Sequence, residues 1–290
     1  MNNLERLHRT SITATDIASQ YWCEKQMELY KLKGPKKATV EIKRGKLIHE
    51  QIEASINEKI ELEPKSYSDS VFKTVYSSYI ALSNLKKNKR AREIQIYGSF
   101  SGYKLVGKID ELKILKGDTV LIEDKTRSSN RAPGEAELIT HKVQVTLYKK
   151  LIDDIVKGNY SVENFKRAYH TQNLNITDDF KSQLSLLGIE PQQQSIDYYA
   201  EKLFDEYAKL ELSNNIYLRY INQFTKENIK ALKFYYSEKE ADKILKFAIK
   251  YWNGDREALP VPFDEKWKCN HCTFFGNECK VWWPQRTLGV

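Results

Sequence analysis

Apolar positions along the chain change their spacing several times, and each change marks an element. Behind Ser11 or Thr13, the stretch "ATDIASQYWCEKQMELYKL" reads as a capped helix that the Gly34-Pro35-Lys36-Lys37 break ends. "RGKLIHEQIEASINEKIEL" (44–62) places Leu47, Ile48, Ile52 and Ile56 at helical spacing, with His49 and Glu53 on one side. A further helix is predicted over 67–85. After the charged run "LKKNKRAR", helical spacing gives way to strand-like runs: 93–100, 103–115, a turn at Lys116-Gly117-Asp118, and 119–125. A polar loop, "TRSSNRAPGEAE", then leads into a long helix over 136–156. The region 158–213 reads as mainly helical, "NNIYLRYINQF" as a strand, and "SEKEADKILKFAIKYWNG" as an amphipathic helix ending at Gly254. The proline-spaced "LPVPFDEKW" precedes a cysteine tail. No repeat, low-complexity tract or interdomain linker interrupts this order. One unit over 1–290 is therefore expected, with a core at 40–157, a mainly helical accessory region at 158–260 and the tail at 261–290.

Composition narrows the class. A chain of 290 residues can bury a substantial core, and 41% hydrophobic with 30% charged residues describes a globular protein rather than a disordered one. Lys and Arg outnumber Asp and Glu by 47 to 39, giving +8, a mild argument for a polyanionic partner. No apolar run approaches the roughly 18 residues of a membrane span. The start, "MNNLERLHRT", lacks the apolar core of a signal peptide, and Glu5 counts against a mitochondrial presequence. An intracellular address is expected: nucleus or mitochondrion in a eukaryote, cytoplasm in a prokaryote.

The candidate chemistry lies in "VGKIDELKILKGDTVLIEDKT". Glu123 and Lys125 stand two apart and project from one face of their strand, and the preceding strand can deliver Asp110 to the same corner. In phosphodiester hydrolysis a divalent metal neutralises the phosphate, lowers the water pKa and steadies the leaving oxygen. Mg²⁺ prefers hard oxygens and keeps some water, so two or three carboxylates suffice. Lys125 could orient or deprotonate the water, or stabilise transition-state charge. A lone Glu-x-Lys is ordinarily a solvated strand face. Asp110 changes that balance, as do Gln144 and Tyr148, one turn apart on a helix whose Val143, Leu147 and Leu151 point inward. His49 joins the candidate ligands, although a helical histidine is more often structural. "HEQIE" is not the zinc-protease pattern, since Glu53 replaces its second histidine. "GYKLVGK" approaches a phosphate-binding loop, but Ile109 stands in place of the hydroxyl and the segment continues as a strand, which argues against ATP binding.

Arg127 and Arg131, in the loop after the strand, and Lys142 on the helix are candidate DNA contacts. Lys86, Lys87, Lys89, Arg90 and Arg92 form a charge run, normally a solvated face, that could also touch phosphates. Tyr198-Tyr199, Tyr235-Tyr236 and Trp282-Trp283 could stack bases, though most aromatics belong to the core. The four cysteines are unevenly placed: Cys23 alone, then Cys269, Cys272 and Cys279 in "CNHCTFFGNEC". Metal ligation explains the close trio better than disulfides do. Zinc completed locally by His271 is one option. The favoured one is a [4Fe–4S] cluster that recruits Cys23 and pins the two ends of the chain together.

Taken together and in order, "TATDIASQYWCEKQ", "RGKLIHEQIE", "VGKIDEL", "IEDKTR", "HKVQVTLYKKLIDD" and "CNHCTFFGNEC" resemble the exonuclease V family, in the RecB-like branch of the PD-(D/E)XK nucleases. The stretch between Tyr148 and Cys269 matches only loosely. The resemblance implies an α/β, restriction-endonuclease-like core, with a mixed central sheet flanked by helices, a helical insertion and a Cys-rich C-terminal tail. It implies Mg²⁺ (or Mn²⁺) held by His49, Asp110 and Glu123, a catalytic Lys125, and Gln144 and Tyr148 as the helix motif. Cys23, Cys269, Cys272 and Cys279 would ligate the cluster. The implied activity is single-stranded DNA exonuclease, releasing short oligonucleotides from a strand passed through a channel, in DNA repair or genome maintenance. The expected partners are single-stranded DNA and a single-strand-binding protein, with no membrane and a monomeric enzyme. One departure is local: Asp124 occupies a position where the family often carries an apolar residue, and it should face away with little effect. Two rivals stand beside this reading: the CRISPR-adaptation nuclease of the same fold, disfavoured by the long segment before Cys269, and a metal-stapled nucleic-acid-binding protein without catalysis.

Overall fold

The strand-like stretches assemble into one mixed sheet in a computed structural model, which describes residues 2–34, 39–56 and 61–281. The N-terminal part comprises α1 (Asn3–Arg6), β1 (Ile12–Thr13), α2 (Ala14–Lys33), α3 (Val40–Ala54), α4 (Tyr67–Ser83) and α5 (Leu85–Asn88). The centre holds β2 (Arg90–Phe100), β3 (Tyr103–Leu115), β4 (Asp118–Arg127) and α6 (Glu135–Val156). Then follow α7 (Val162–Tyr169), α8 (Asp178–Leu186), α9 (Ile196–Ala208), β5 (Leu212–Asn222), β6 (Asn228–Tyr235) and α10 (Glu238–Asn253).

The sheet forks at β3. On one side β3 pairs antiparallel with β2 along almost its whole length. On the other, its second half pairs with β4 from Leu115↔Asp118 to Glu111↔Ile122, while its first half takes the short parallel β1 at Leu105 and Val106. β4 continues into a parallel pairing with β5, and β6 closes that edge antiparallel. α6 lies across the sheet on β2, β3 and β5, burying Val143, Leu147 and Leu151. α4 packs on α9 and β2. No helix among the described residues is long and apolar enough to cross a membrane.

Several differences from the sequence reading have local causes. The helix predicted over 44–62 ends at Ala54, its predicted residues 57–60 lie outside the described residues, and Leu47 is exposed, because only Gly45 and Ile48 of α3 are buried. β6 went unpredicted: "NIKALKFY" is an edge strand without a fully buried face. The region 158–260 is mainly helical with the expected strand β5, but β5 and β6 join the central sheet and do not stand apart as an accessory region. The charge run is partly internal, since the Arg92 side chain is fully buried against Glu111 and Asp124. Tyr199 and Tyr236 are buried, Tyr235 is exposed, and Trp282-Trp283 lies outside the described residues.

Helix ends are set by side chains. Thr13 and Asp16 form a reciprocal cap on α2, and Ser66 with Asp69 does the same for α4. Buried Asp69 also accepts from the Thr177 N–H at 2.8 Å and the Thr177 hydroxyl at 3.0 Å, tying α4 to the start of α8. Burial acts to raise its pKa, and hydrogen bonds from Thr177, Lys65 and Ser66 outweigh that and hold it below the ordinary value. A carboxyl whose pKa is depressed by folding stabilises the fold above its unfolded pKa and loses that contribution as pH falls through the folded value. Asp69→Ala should therefore lower the unfolding free energy by about 2–3 kcal/mol at neutral pH. In urea titrations the gap from wild type should shrink in strongly acidic buffer.

Candidate active site

At the fork, β4 leaves β3 after Ile122, and the strand-to-strand ladder stops where Asp110 begins. The Asp110 carboxylate takes over: Asp124 N–H donates to its Oδ2 at 2.8 Å. Asp110 is thus held by the backbone of the strand that carries Glu123 and Lys125. Lys125 Nζ donates to Glu123 Oε1 at 2.7 Å and to Gln144 Oε1 at 2.8 Å. Gln144 Nε2 donates to Glu123 Oε1 at 3.1 Å and to the Tyr148 hydroxyl at 2.6 Å. His49 Nδ1 stands 3.7 Å from Asp110 Oδ2. All six residues named from the sequence therefore meet at one corner. An open pocket of about 660 Å³ runs into it, lined by Thr13, Glu93, Asp110, Glu123, Gln144 and Tyr148 among others.

Burial dominates the electrostatics of the corner, although Lys108 pairs with Glu93 at its rim. Burial raises the Asp110 pKa, against the pull of His49 and Lys125. Burial and the neighbouring Asp110 charge push Glu123 up to about 8. Glu123 is only 3% exposed, and its Oε2 has no hydrogen-bond partner among the described residues. Two buried carboxylates sharing one lysine, with an unused oxygen between them, suit a hard divalent cation. His49, Glu93 and Asp110 each offer a ligand atom, all within 4.8 Å of one another.

Glu93 is the residue that sequence reading missed. It falls between the pairs Arg92↔Glu111 and Ile94↔Ile109, opposite Asp110, and has φ +57°. That left-handed backbone is uncommon for glutamate and breaks the β2 ladder beside the site. Its one signal in the sequence was an acid at the very start of a strand-like run. His141 was also missed: its Nδ1 lies 3.0 Å from the Tyr220 hydroxyl, and burial, with Lys125 and Arg127 nearby, drives its pKa down to about 3.

Two glycines make the approaches possible. A Cβ on Gly107 would meet the Tyr148 ring at 2.8 Å, so the glycine in "VGKID" seats that ring on β3. A Cβ on Gly45 would meet Thr126 Oγ1 at 2.6 Å, so α3 can lie close enough to β4 to bring His49, one turn on, over Asp110. Gln223 clamps this contact, donating to the Glu41 carbonyl at 3.0 Å and to Thr126 Oγ1 at 3.1 Å. Among the predicted DNA contacts, Arg127 pairs with Glu137 at 3.1 Å and lines a second pocket of about 480 Å³ with His49. Arg131 is exposed in the loop, and Lys142 leans over the Phe234 ring of β6 at 4.7 Å.

At the far end of α2, Cys23, Cys269, Cys272 and Cys279 line one small cavity, while His271 is exposed and outside its lining. The helix breaks at Cys23, whose backbone is extended (φ −168°, ψ 109°). Two backbone groups at the break are taken up by the C-terminal segment: Lys25 N–H donates to the Leu259 carbonyl at 2.9 Å, and Lys268 Nζ to the Trp22 carbonyl at 3.1 Å. Gln26 N–H donates to Cys23 Sγ at 3.4 Å, so the sulfur caps the helix that restarts there. Burial pushes the Cys23, Cys269 and Cys279 thiols up, and neighbouring cysteines add to the shift.

A mixed α/β sheet with two carboxylates and a lysine at a strand fork defines a class, a nuclease core consistent with the PD-(D/E)XK type. Comparison with known proteins narrows it. The family model described as "Exonuclease V - a 5' deoxyribonuclease" matches residues 2–121, 115–205 and 197–283, and the chain belongs to the exonuclease V family. Exonuclease V of Danio rerio is 25% identical over 287 residues, spanning 93% of this chain and 70% of that protein. A crystal structure of SSO0001 matches 93% of this chain and 89% of its own at 14% identity, with a TM-score of 0.40, too loosely to argue from. The protein is thus a deoxyribonuclease, a hydrolytic exonuclease. Family membership sets aside the CRISPR-adaptation and non-catalytic alternatives.

Gly45→Ala should separate site geometry from stability. Alanine is the better helix former by about 1 kcal/mol, which offsets part of the clash. The variant should stay folded by circular dichroism while its exonuclease kcat falls about 10²-fold, because α3 and His49 are displaced.

Proposed function

We propose that the chain is a Mg²⁺-dependent single-strand DNA exonuclease that releases short oligonucleotides in DNA repair or genome maintenance, stapled by a [4Fe–4S] cluster. The observation that carries the catalytic part is the Lys125 ammonium held between Glu123 and Gln144, beside the backbone-anchored Asp110. His49, Asp110 and Glu123 would hold the metal, with Glu93 near enough to join them. A bound Mg²⁺ or Mn²⁺ supplies Lewis acidity toward the phosphate and an activated water. Lys125 spends two of its three donors on Glu123 and Gln144, which leaves one N–H for developing phosphate charge. Gln144, itself fixed on the Tyr148 hydroxyl, keeps that lysine from swinging away. The hydroxyls of Thr13, Thr15, Thr74 and Ser77 along the larger pocket suit a sugar–phosphate backbone. Arg127, Arg131 and Lys142 would add phosphate contacts, so binding should weaken with salt and ignore sequence.

For the cluster, support comes from four sulfurs around one cavity with no histidine in its lining. Buried thiols that disfavour each other's ionisation are relieved by a metal centre that takes them as thiolates. The cluster would join α2 to the tail across more than 240 residues of chain, since Cys23 and Cys269 are that far apart in sequence. Protein purified without oxygen should be brown and carry about four irons per chain. Colourless protein with one zinc would replace the cluster by a zinc staple.

The catalytic reading is tested on single strands labelled at the 5′ or the 3′ end, with and without Mg²⁺. Cleavage should require the metal and yield short oligonucleotides. Lys125→Ala should lose about 10²–10⁴-fold in rate, and Asp110→Ala at least as much, with DNA affinity retained. Full activity in both variants would falsify the assignment.

A further inference from the structure

Behind the candidate active site, four adjacent strands each contribute one charged side chain to a continuous row. Arg92 of β2 donates through Nη1 to Glu111 Oε2 of β3 at 3.0 Å and to Asp124 Oδ2 of β4 at 2.9 Å. Arg219 of β5 donates through Nε to Asp124 Oδ1 at 2.7 Å. Its Nη2 reaches Asp124 Oδ2 at 2.9 Å and Glu111 Oε2 at 2.7 Å. Arg90 adds a contact to Glu111 Oε1 at 2.9 Å. The side chains of Arg92, Glu111 and Asp124 are 0% exposed.

The row is in step with the site. Arg92 precedes Glu93, Glu111 follows Asp110, and Asp124 follows Glu123. Successive residues of a strand point to opposite faces, so Arg92, Glu111 and Asp124 each stand behind a carboxylate of the site, and Arg219 joins the row from β5. Asp124 links the two faces covalently. Its side chain is gripped by both arginines, and its backbone N–H orients the Asp110 carboxylate. Stability alone does not call for such an arrangement, since well-packed apolar residues usually do as well as a buried ionic group. What bidentate arginine contacts add is geometric precision.

We propose that Asp124 is a positioning residue, and that with Arg92, Glu111 and Arg219 it forms a strut that sets the spacing of Asp110 and Glu123 and thereby the affinity for a divalent metal. The proposal rests on the reading of Asp110 and Glu123 as metal ligands. The middle acid of the Glu-Asp-Lys triplet, expected from sequence to matter little, then has a defined task.

The test is calorimetric titration of the full chain with Mn²⁺ alone, without DNA, alongside thermal unfolding. Arg219→Met should weaken Mn²⁺ binding about 10- to 100-fold and lower Tm. Adding Asp124→Leu to it, which exchanges the pair for apolar contacts, should bring Tm back toward wild type and leave Mn²⁺ binding weak. Return of both together would assign the row to structure alone and overturn the proposal. Asp124→Asn, which keeps the shape, serves if the double variant does not fold: it should bind Mn²⁺ more weakly with an unchanged circular dichroism spectrum. Wild-type affinity in Asp124→Asn, with Asp110→Ala unable to bind Mn²⁺, sinks the strut alone. Wild-type affinity in Asp110→Ala sinks the ligand reading and the strut with it.

Discussion

One hydrogen bond, from the Asp124 amide to the Asp110 carboxylate, stands where the sheet divides, and the site is organised around it. A strand that leaves its neighbour exposes an amide that must be satisfied, and burial makes that need acute. Here an acidic side chain satisfies it. The same act that closes the fork fixes a carboxylate beside Glu123 and Lys125. β1 takes up the other half of β3, so the space between becomes a pocket rather than a continued sheet.

Around that bond the fold gathers charge that water would otherwise disperse. The front of the fork concentrates Asp110 and Glu123 against Lys125 and Glu93 against Lys108, with His49 brought over from α3. The back holds Glu111 and Asp124 among three arginines. The two faces differ in balance. The back sets three guanidinium groups against two carboxylates, whereas at the front Glu123 Oε2 has no hydrogen-bond partner among the described residues. An imbalance of this kind is expensive in a buried place unless something outside the chain corrects it. It is the physical ground for reading the front as the reacting face.

The cysteine corner follows a related logic with backbone groups in place of charges. Breaking a helix at Cys23 frees carbonyl and amide groups, and residues more than 230 positions later supply their partners. The second half of α2 then begins at the cysteine itself, with its sulfur at the positive end of the restarted helix. The segment after Gly254 therefore docks on the N-terminal helix through its own hydrogen bonds, while the four cysteines face a common space.

Much of this was legible in the residues. Alternation in "VGKIDELKILKGDTVLIEDKT" located β3, its turn and β4, and two-residue spacing put Glu123 and Lys125 on one face, because side-chain direction along a strand is a local property. Helical spacing likewise located α6 with Gln144 and Tyr148, and the cysteine pattern pointed to a shared centre. Other features depend on partners far away in the chain. Glu93 looked like any strand residue until pairing placed it opposite Asp110. Arg92 looked like part of a solvated charge run until Glu111, Asp124 and Arg219 closed around it. Gly45 and Gln223 carry no signal by themselves, since their role is the distance between α3 and β4. The sequence by itself determined which residues share a face and which carry chemistry, since both follow from covalent geometry and side-chain type. Only the tertiary structure decided which of those faces meet, where the sheet forks and which charges are left uncompensated, because these are set by contacts between segments that the order of residues does not place side by side.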